Sequence, residues 1–276
     1  MKIIDISENN GNIDFSKMKE ENVQGIIIRV GWIGNKENHT LDKKFINNLS
    51  ECKKYGIAYG LYVYSYCKSE IAMLSGAKWT ENIIKVYNCK PTLPVFIDME
   101  DNSTIACGKN SLTQQTITFC NYIKVKTGFN VGVYANLNWY KNYLDINKLQ
   151  GYKIWLAEYN NKQKHSANFS VDLWQYSSKG HITGINGFVD LNRCYSCNKE
   201  NKEEGDFDMK TYKNGSTKEI VYLDSNCTKE IGYLNPREIA DCYGIVENVA
   251  IVCYNIDNSN NKKVGFVKWL GGINNV

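Results

Sequence analysis

The chain has 276 residues, 22% of them charged, with a formal net charge of +4. That length fits a large unit followed by a small one. No clustered basic stripe marks a nucleic-acid partner, and no apolar run is long enough to span a membrane. Runs of β-branched and aromatic residues bounded by Gly, Asn or Asp predict eight strands: Lys2–Ser7, Gly25–Gly31, Ala58–Tyr66, Leu93–Glu100, Val131–Asn136, Lys153–Tyr159, Val171–Ser177 and Gly187–Arg193. Most are continuously apolar, as strands covered on both faces are. Periodic segments predict helices over Asp42–Tyr55, Glu70–Tyr87, Leu112–Thr127 and Asn138–Leu149, with a shorter one over Phe15–Asn22. After the sixth strand the spacers leave little room for helices. The pattern is α/β: five strand-helix units and three loop-joined strands, a TIM-like (β/α)5β3 barrel.

Asp98-Met99-Glu100 ends the apolar run Leu93-Pro94-Val95-Phe96-Ile97. In an extended strand residues i and i+2 face the same way, so both carboxylates project together. Close carboxylates resist joint ionisation, and a desolvated one holds its proton near neutral pH while its partner stays charged. That pairing suits cleavage of a glycosidic bond. An isolated Asp-x-Glu is far more often a solvated loop acid, but Asp5 in the first strand and Asp190 in the eighth stand in matching contexts. First and eighth strands are neighbours in a closed barrel, and active sites gather at the C-terminal ends of barrel strands, so the four acids are expected in one cup.

Several segments in order resemble glycoside hydrolase family 25, the lysozymes of phage endolysins and bacterial autolysins. They are Ile4-Asp5-Ile6-Ser7 with Asn10-Gly11, Gly60-Leu61-Tyr62, Phe96-Ile97-Asp98-Met99-Glu100, Val133-Tyr134, Ile154-Trp155-Leu156-Ala157, Trp174-Gln175-Tyr176 and Gly187-Phe188-Val189-Asp190-Leu191-Asn192. The resemblance covers about residues 1–196. It implies a retaining muramidase that cuts the β-1,4 bond between N-acetylmuramic acid and N-acetylglucosamine in peptidoglycan. Carried over by position, Glu100 is the general acid and Asp98 its partner, with the substrate's own acetamide favoured as nucleophile. Asp5 and Asp190 would tune charge and hold the pair. Arg29 stands where many relatives carry Lys, facing the cup, and Tyr62, Tyr64, Tyr134, Trp155 and Trp174, together with Tyr159 and Tyr176, flank the strand ends. Sugar rings pack their C–H faces on such aromatics. A core-filling role is the bland alternative for any one of them. Glu158 and Gln175 are polar candidates at the rim. No metal or organic cofactor is implied.

Residues 1–197 form the catalytic unit in this reading, and the polar run 198–208 is a linker. Residues 209–276 change character, with strand candidates at Lys218–Leu223, Glu230–Leu234, Ala250–Asn255 and Val264–Trp269. The segment from Glu230 to Trp269 resembles bacterial SH3-like cell-wall-binding domains. Residues 1–198 carry 23 Lys/Arg against 17 Asp/Glu, a mild basic excess that suits an anionic wall, whereas residues 205–276 carry 8 against 9. The codons for Glu204-Gly205-Asp206 can contain a ribosome-binding sequence at the usual distance from Met209. Some similar endolysins make a separate tail fragment in this way, and residues 209–276 made alone would assemble with the full chain.

Met1-Lys2-Ile3 leads into the first strand without a signal peptide, so synthesis in a host cytoplasm, with release to the wall, is expected. The ten cysteines are then expected reduced. Cys194-Tyr195-Ser196-Cys197 lacks the second pair of a zinc site. Abundant Asn, Lys and Ile suggest a low-GC Gram-positive host such as a clostridium. Other classes fit less well. A zinc amidase needs clustered ligands, and His39, His165 and His181 are scattered. A cysteine peptidase needs a Cys-His pair, and Cys52, Cys67 and Cys120 have no partner motif. A non-catalytic peptidoglycan-binding protein would have no use for both Asp98 and Glu100.

Overall fold

Lys2–Ile6 (β1) opens a closed barrel in a computed structural model that describes residues 1–35, 38–160, 162–196, 211–222, 227–228, 230–246, 249–255 and 262–268. The other strands of this sheet are β2 (Gly25–Ile33), β3 (Thr40–Leu41), β4 (Tyr59–Ser65), β5 (Val95–Asp98), β6 (Val131–Asn136), β7 (Lys153–Ala157), β8 (Leu173–Gly180) and β9 (Val189–Cys194). Eight of them close by pairing in the order β1, β2, β4, β5, β6, β7, β8, β9 and back to β1, while β3 is a two-residue edge on β2. Helices α1 (Phe15–Met18), α2 (Phe45–Tyr55), α3 (Glu70–Val86), α4 (Lys109–Thr127) and α5 (Leu137–Asn142) lie between the earlier strands. β2, β5, β6 and β7 read as largely apolar runs because both of their faces are buried. Ile3, Ile27, Phe96, Tyr134, Trp155 and Leu173 fill the barrel interior, and Ile4, Ile28, Val63, Ile97 and Val133 pack outward in the larger core.

The last strand departs from the expectation that every strand offers its C-terminal end to the site. β9 runs antiparallel to both β8 and β1, whereas the other barrel pairs are parallel. Only His181–Phe188 joins β8 to β9, too short for the crossover a parallel return needs. The start of β9 therefore lies at the same barrel end as the finish of β1, and Asp190 pairs in register with Asp5. Local chemistry trims the helices. Ser69 caps α3 by accepting from the Ala72 amide, and α2 begins at Phe45, whose amide donates to Asp42 O. The segment expected as one helix over Asn138–Leu149 breaks into α5 and a 3-10 turn over Ile146–Leu149, where Asp145 accepts from the Asn147 amide.

The tail forms a separate antiparallel sheet of β10 (Thr211–Lys213), β11 (Glu219–Tyr222), β12 (Glu230–Leu234), β13 (Ile239–Val246), β14 (Val249–Asn255) and β15 (Lys262–Lys268). Its order, β10-β13-β14-β15-β11-β12, leaves β10 and β12 as the outer strands. The buried Asn214 side chain donates to Leu234 O, Asn235 O and Thr217 O, tying the end of one outer strand to the end of the other. β10 and β13 had no counterpart among the expected strands. The linker over 198–208, Met209 and Trp269 lie outside the described residues.

One expectation about the cysteines is corrected. Cys194 is disulfide-bonded rather than a reduced thiol. Cys52, Cys67, Cys89, Cys107 and Cys120 are free thiols. A disulfide depends on two sulfurs brought together in space, which expected compartment alone does not set. No helix among the described residues is long and apolar enough to cross a membrane.

Candidate active site

Glu100 lies two residues beyond the buried Asp98, and the chain between them stays extended because the Met99 amide donates to Tyr134 O at 2.9 Å. Met99 turns into the outer core, so both carboxylates keep the barrel side. Asp98 is only 3% exposed, and its Oδ1 is buried with no hydrogen-bond partner. Burial pushes its pKa well above the usual range, as do the charges of Glu100 and Asp5, while Arg29 works the other way. Burial also raises Glu100, helped by the charges of Asp190 and Asp101. Both groups therefore hold a proton more tightly than a solvated carboxylate does.

Asp5 is set by two amides whose orientations are fixed. Gln175 Oε1 accepts from Tyr134 OH at 2.9 Å and Tyr159 OH at 2.6 Å, so its Nε2 must turn toward Asp5 Oδ2, 3.0 Å away. Asn192 Oδ1 accepts from Trp155 Nε1 at 2.8 Å, which directs its Nδ2 to the same Oδ2 at 2.7 Å. Burial and the Asp190 charge push Asp5 well up against these two donors, and Asp5 and Asp190 hydrogen-bond each other. Asp5 is the more deeply buried of the two, and two carboxylates this close resist joint ionisation.

The aromatics divide in a way their spacing did not show. Trp155 and Trp174 are each 1% exposed and cannot offer a ring face to a sugar. Trp155 is the floor of the cup. Phe96, Tyr134 and Tyr62 pack edgewise on it at centroid distances of 5.0, 4.6 and 5.9 Å. Trp174 points out of the barrel, as the alternation with Leu173 and Gln175 requires, and donates to Glu158 O at 2.9 Å. Tyr176 shares that outer side, its ring 5.6 Å from Trp174. Both indoles sit where a buried N–H finds an acceptor. The reading of these two as sugar contacts is corrected to a supporting role. Tyr64 is half-buried and donates to Asp101 Oδ2 at 3.1 Å, and Tyr159 is 55% exposed at the rim.

Arg29 faces the acids, but its guanidinium is already held. Nε lies 2.7 Å from Asp42 Oδ2 and Nη2 3.7 Å from Glu8 Oε1. Backbone amides of Glu8 and Lys44 also donate to Asp42, which fixes the clamp. Glu158 turns away from the cup and accepts from the Ser166 amide and hydroxyl. Sequence reasoning gave no role to Asn192, Asp42 or Asp101. Asn192 carried a usable signal, because it follows Asp190 by two on the same strand and must share its face.

Residues 4–185 match the family model for Glycosyl hydrolases family 25. The chain belongs to this family. Over 194 residues it is 27% identical to the autolytic lysozyme of Clostridium acetobutylicum, covering 69% of this chain and 55% of that protein. The chain thus spans about half the length of that curated relative. Among solved structures, the modular autolysin LytC of Streptococcus pneumoniae is 31% identical with a TM-score of 0.62, over 70% of this chain and 46% of that one. The catalytic domain of endolysin ply40, from a bacteriophage of Listeria monocytogenes, is 27% identical with a TM-score of 0.62, over 71% and 93%. A family 25 barrel, with Asp5, Asp98, Glu100 and Asp190 together at one end, is the setting for the chemistry.

Proposed function

We propose that this chain is a muramidase that hydrolyses the β-1,4 bond between N-acetylmuramic acid and N-acetylglucosamine with retention. The observation that carries the reading is the buried, unpartnered Oδ1 of Asp98 beside a Glu100 whose proton affinity is raised. An acetamide N–H of muramic acid is the donor that oxygen lacks. Glu100 gives its proton to the glycosidic oxygen as the C1–O bond breaks. The acetamide carbonyl closes on C1 from the other side, and Asp98 steadies the positive ring that forms. Glu100, now a carboxylate, takes a proton from the water that reopens the ring, so configuration is retained. Asp5 and Asp190 hold the cup's charge, and Arg29 supplies the counter-charge that favours ionised Asp98.

Membership of family 25 and likeness to an autolytic lysozyme and a phage endolysin domain support peptidoglycan as the substrate. We read the barrel as (β/α)5β3 and residues 209–276 as an SH3-like wall-binding module of a phage endolysin. In this reading the enzyme is made in a host cytoplasm and acts on the wall after release, and a clostridial host fits the Asn-, Lys- and Ile-rich composition.

 The mass of fragments released from purified clostridial peptidoglycan, after borohydride reduction to tag new reducing ends, tests the activity. New muramic-acid ends support it, and cleaved peptide stems with intact glycan would sink it.

Two further outcomes follow for the tail. Deleting residues 209–276 should slow digestion of whole walls about tenfold or more, while cleavage of short soluble glycan fragments changes much less, because a tethered wall-binding module raises local enzyme concentration only on the polymer. Equal loss on both substrates would count against a targeting role. Expression from the native gene should give two bands, the shorter one absent in Met209→Leu. A single full-length band would remove the internal start and the assembly with a tail fragment.

A further inference from the structure

Tyr62, Tyr64 and Tyr66 follow one another at i, i+2 and i+4 at the end of β4, so they climb one face of the strand from the barrel floor to the rim. Tyr62 packs edgewise on Trp155 at the bottom. Tyr64 pairs in register with Asp98 and is fixed by its hydrogen bond to Asp101, the residue after Glu100. Tyr66 is 42% exposed, with its ring centroid 4.8 Å from that of Tyr64.

The backbone beneath Tyr66 is held on both sides. Its amide donates to Ile33 O at 2.8 Å, and Asn35 Nδ2 donates to its carbonyl at 3.5 Å. Asn35 Oδ1 in turn accepts from the Lys68 amide at 2.9 Å. Asp101, which anchors Tyr64, is itself fixed by the Ser103 amide at 2.9 Å. The wall therefore presents an aromatic face in a set position, on the Glu100 side of the acid pair, without ordering a loop on binding.

We propose that Tyr66, backed by Tyr64, is the platform on which the departing sugar of the glycan rests. This deepens the muramidase reading and rests on it. Glu100 protonates the oxygen of the leaving sugar, so the ring beyond that oxygen lies toward Asp101 and Tyr64. An apolar C–H face of N-acetylglucosamine packs on the exposed tyrosine ring.

Kinetics of the full-length chain on peptide-free glycan strands test the assignment. Tyr66→Ala should raise KM about tenfold with kcat within about threefold, and Tyr66→Phe should restore the wild-type KM because the ring carries the contact. In a Glu100→Gln background, calorimetry with a reduced glycan tetrasaccharide should show the same tenfold weakening for Tyr66→Ala. An unchanged KM and Kd would overturn the platform, as would a Tyr66→Phe variant impaired as much as Tyr66→Ala. A wild-type protein that releases no muramic-acid ends would sink the muramidase reading instead, and the binding comparison would still decide the platform.

Discussion

Glu100→Gln is expected to lower glycan hydrolysis about a thousandfold or more while whole-wall binding stays within about twofold of the wild type. The amide keeps the shape of the carboxyl but has no acidic proton to transfer to the leaving oxygen. Burial and the neighbouring charges of Asp190 and Asp101 raise the wild-type group, so its acid form persists above the ordinary glutamate range. The wild-type rate should accordingly fall on the alkaline side as Glu100 deprotonates, and that limb should vanish with the residual activity of the variant. Product release from purified peptidoglycan across a pH series, with sedimentation of bound protein alongside, measures both. A variant retaining a tenth of the wild-type rate would show that another group delivers the proton.

Asp98→Asn is expected to lose about a hundredfold to ten-thousandfold in rate and to gain thermal stability at neutral pH. Burial raises Asp98 in the fold, so the folded chain holds a proton there that the unfolded chain releases near pH 4. Stability from this group is full below the unfolded pKa and is lost as pH rises toward the folded one. Asparagine removes that loss. Its amide would meet the same lack of a partner as Oδ1, but an unpaired neutral group costs about 1–3 kcal/mol, less than an unpaired buried charge. The gain should be a few degrees at pH 7, at about 2–4 °C per kcal/mol for a chain of this size, and should shrink toward zero near pH 4. Melting curves at the two pH values decide it, and a variant less stable at pH 7 would contradict the burial argument.

Much of the barrel could be read from the chain because a strand dry on both sides leaves a continuous apolar run, as in Gly25–Ile33 and Val131–Asn136. The acids were legible for a simpler reason. Strand alternation is rigid, so Asp98 and Glu100 had to share a face wherever the strand went. What escaped depended on partners distant in sequence. Trp155 and Trp174 look alike as strand aromatics, yet one closes the floor and the other turns outward, and the acceptor that holds each indole, Asn192 for one and Glu158 for the other, lies elsewhere in the chain. The Gln175 side chain was marked as polar at the rim, but its task of orienting Asp5 is set by two phenols from β6 and the loop after β7. In the tail, β10 spans three residues, too few for an alternating pattern to register.

Barrel closure brings its own consequence. Asn192 and Asp5 stand 187 residues apart in the chain, yet a single hydrogen bond joins them. The seam between β1 and β9 is thus among the contacts of greatest sequence separation, and such contacts bear the largest loop-closure cost and tend to limit folding speed. Until that seam forms, Asp5 lacks both Asn192 and its proton-sharing neighbour Asp190. A chain still emerging from the ribosome, or one cut before β9, carries Asp98 and Glu100 but leaves their charge environment unfinished. The acid cluster is therefore complete only once the last strand of the barrel has joined the first.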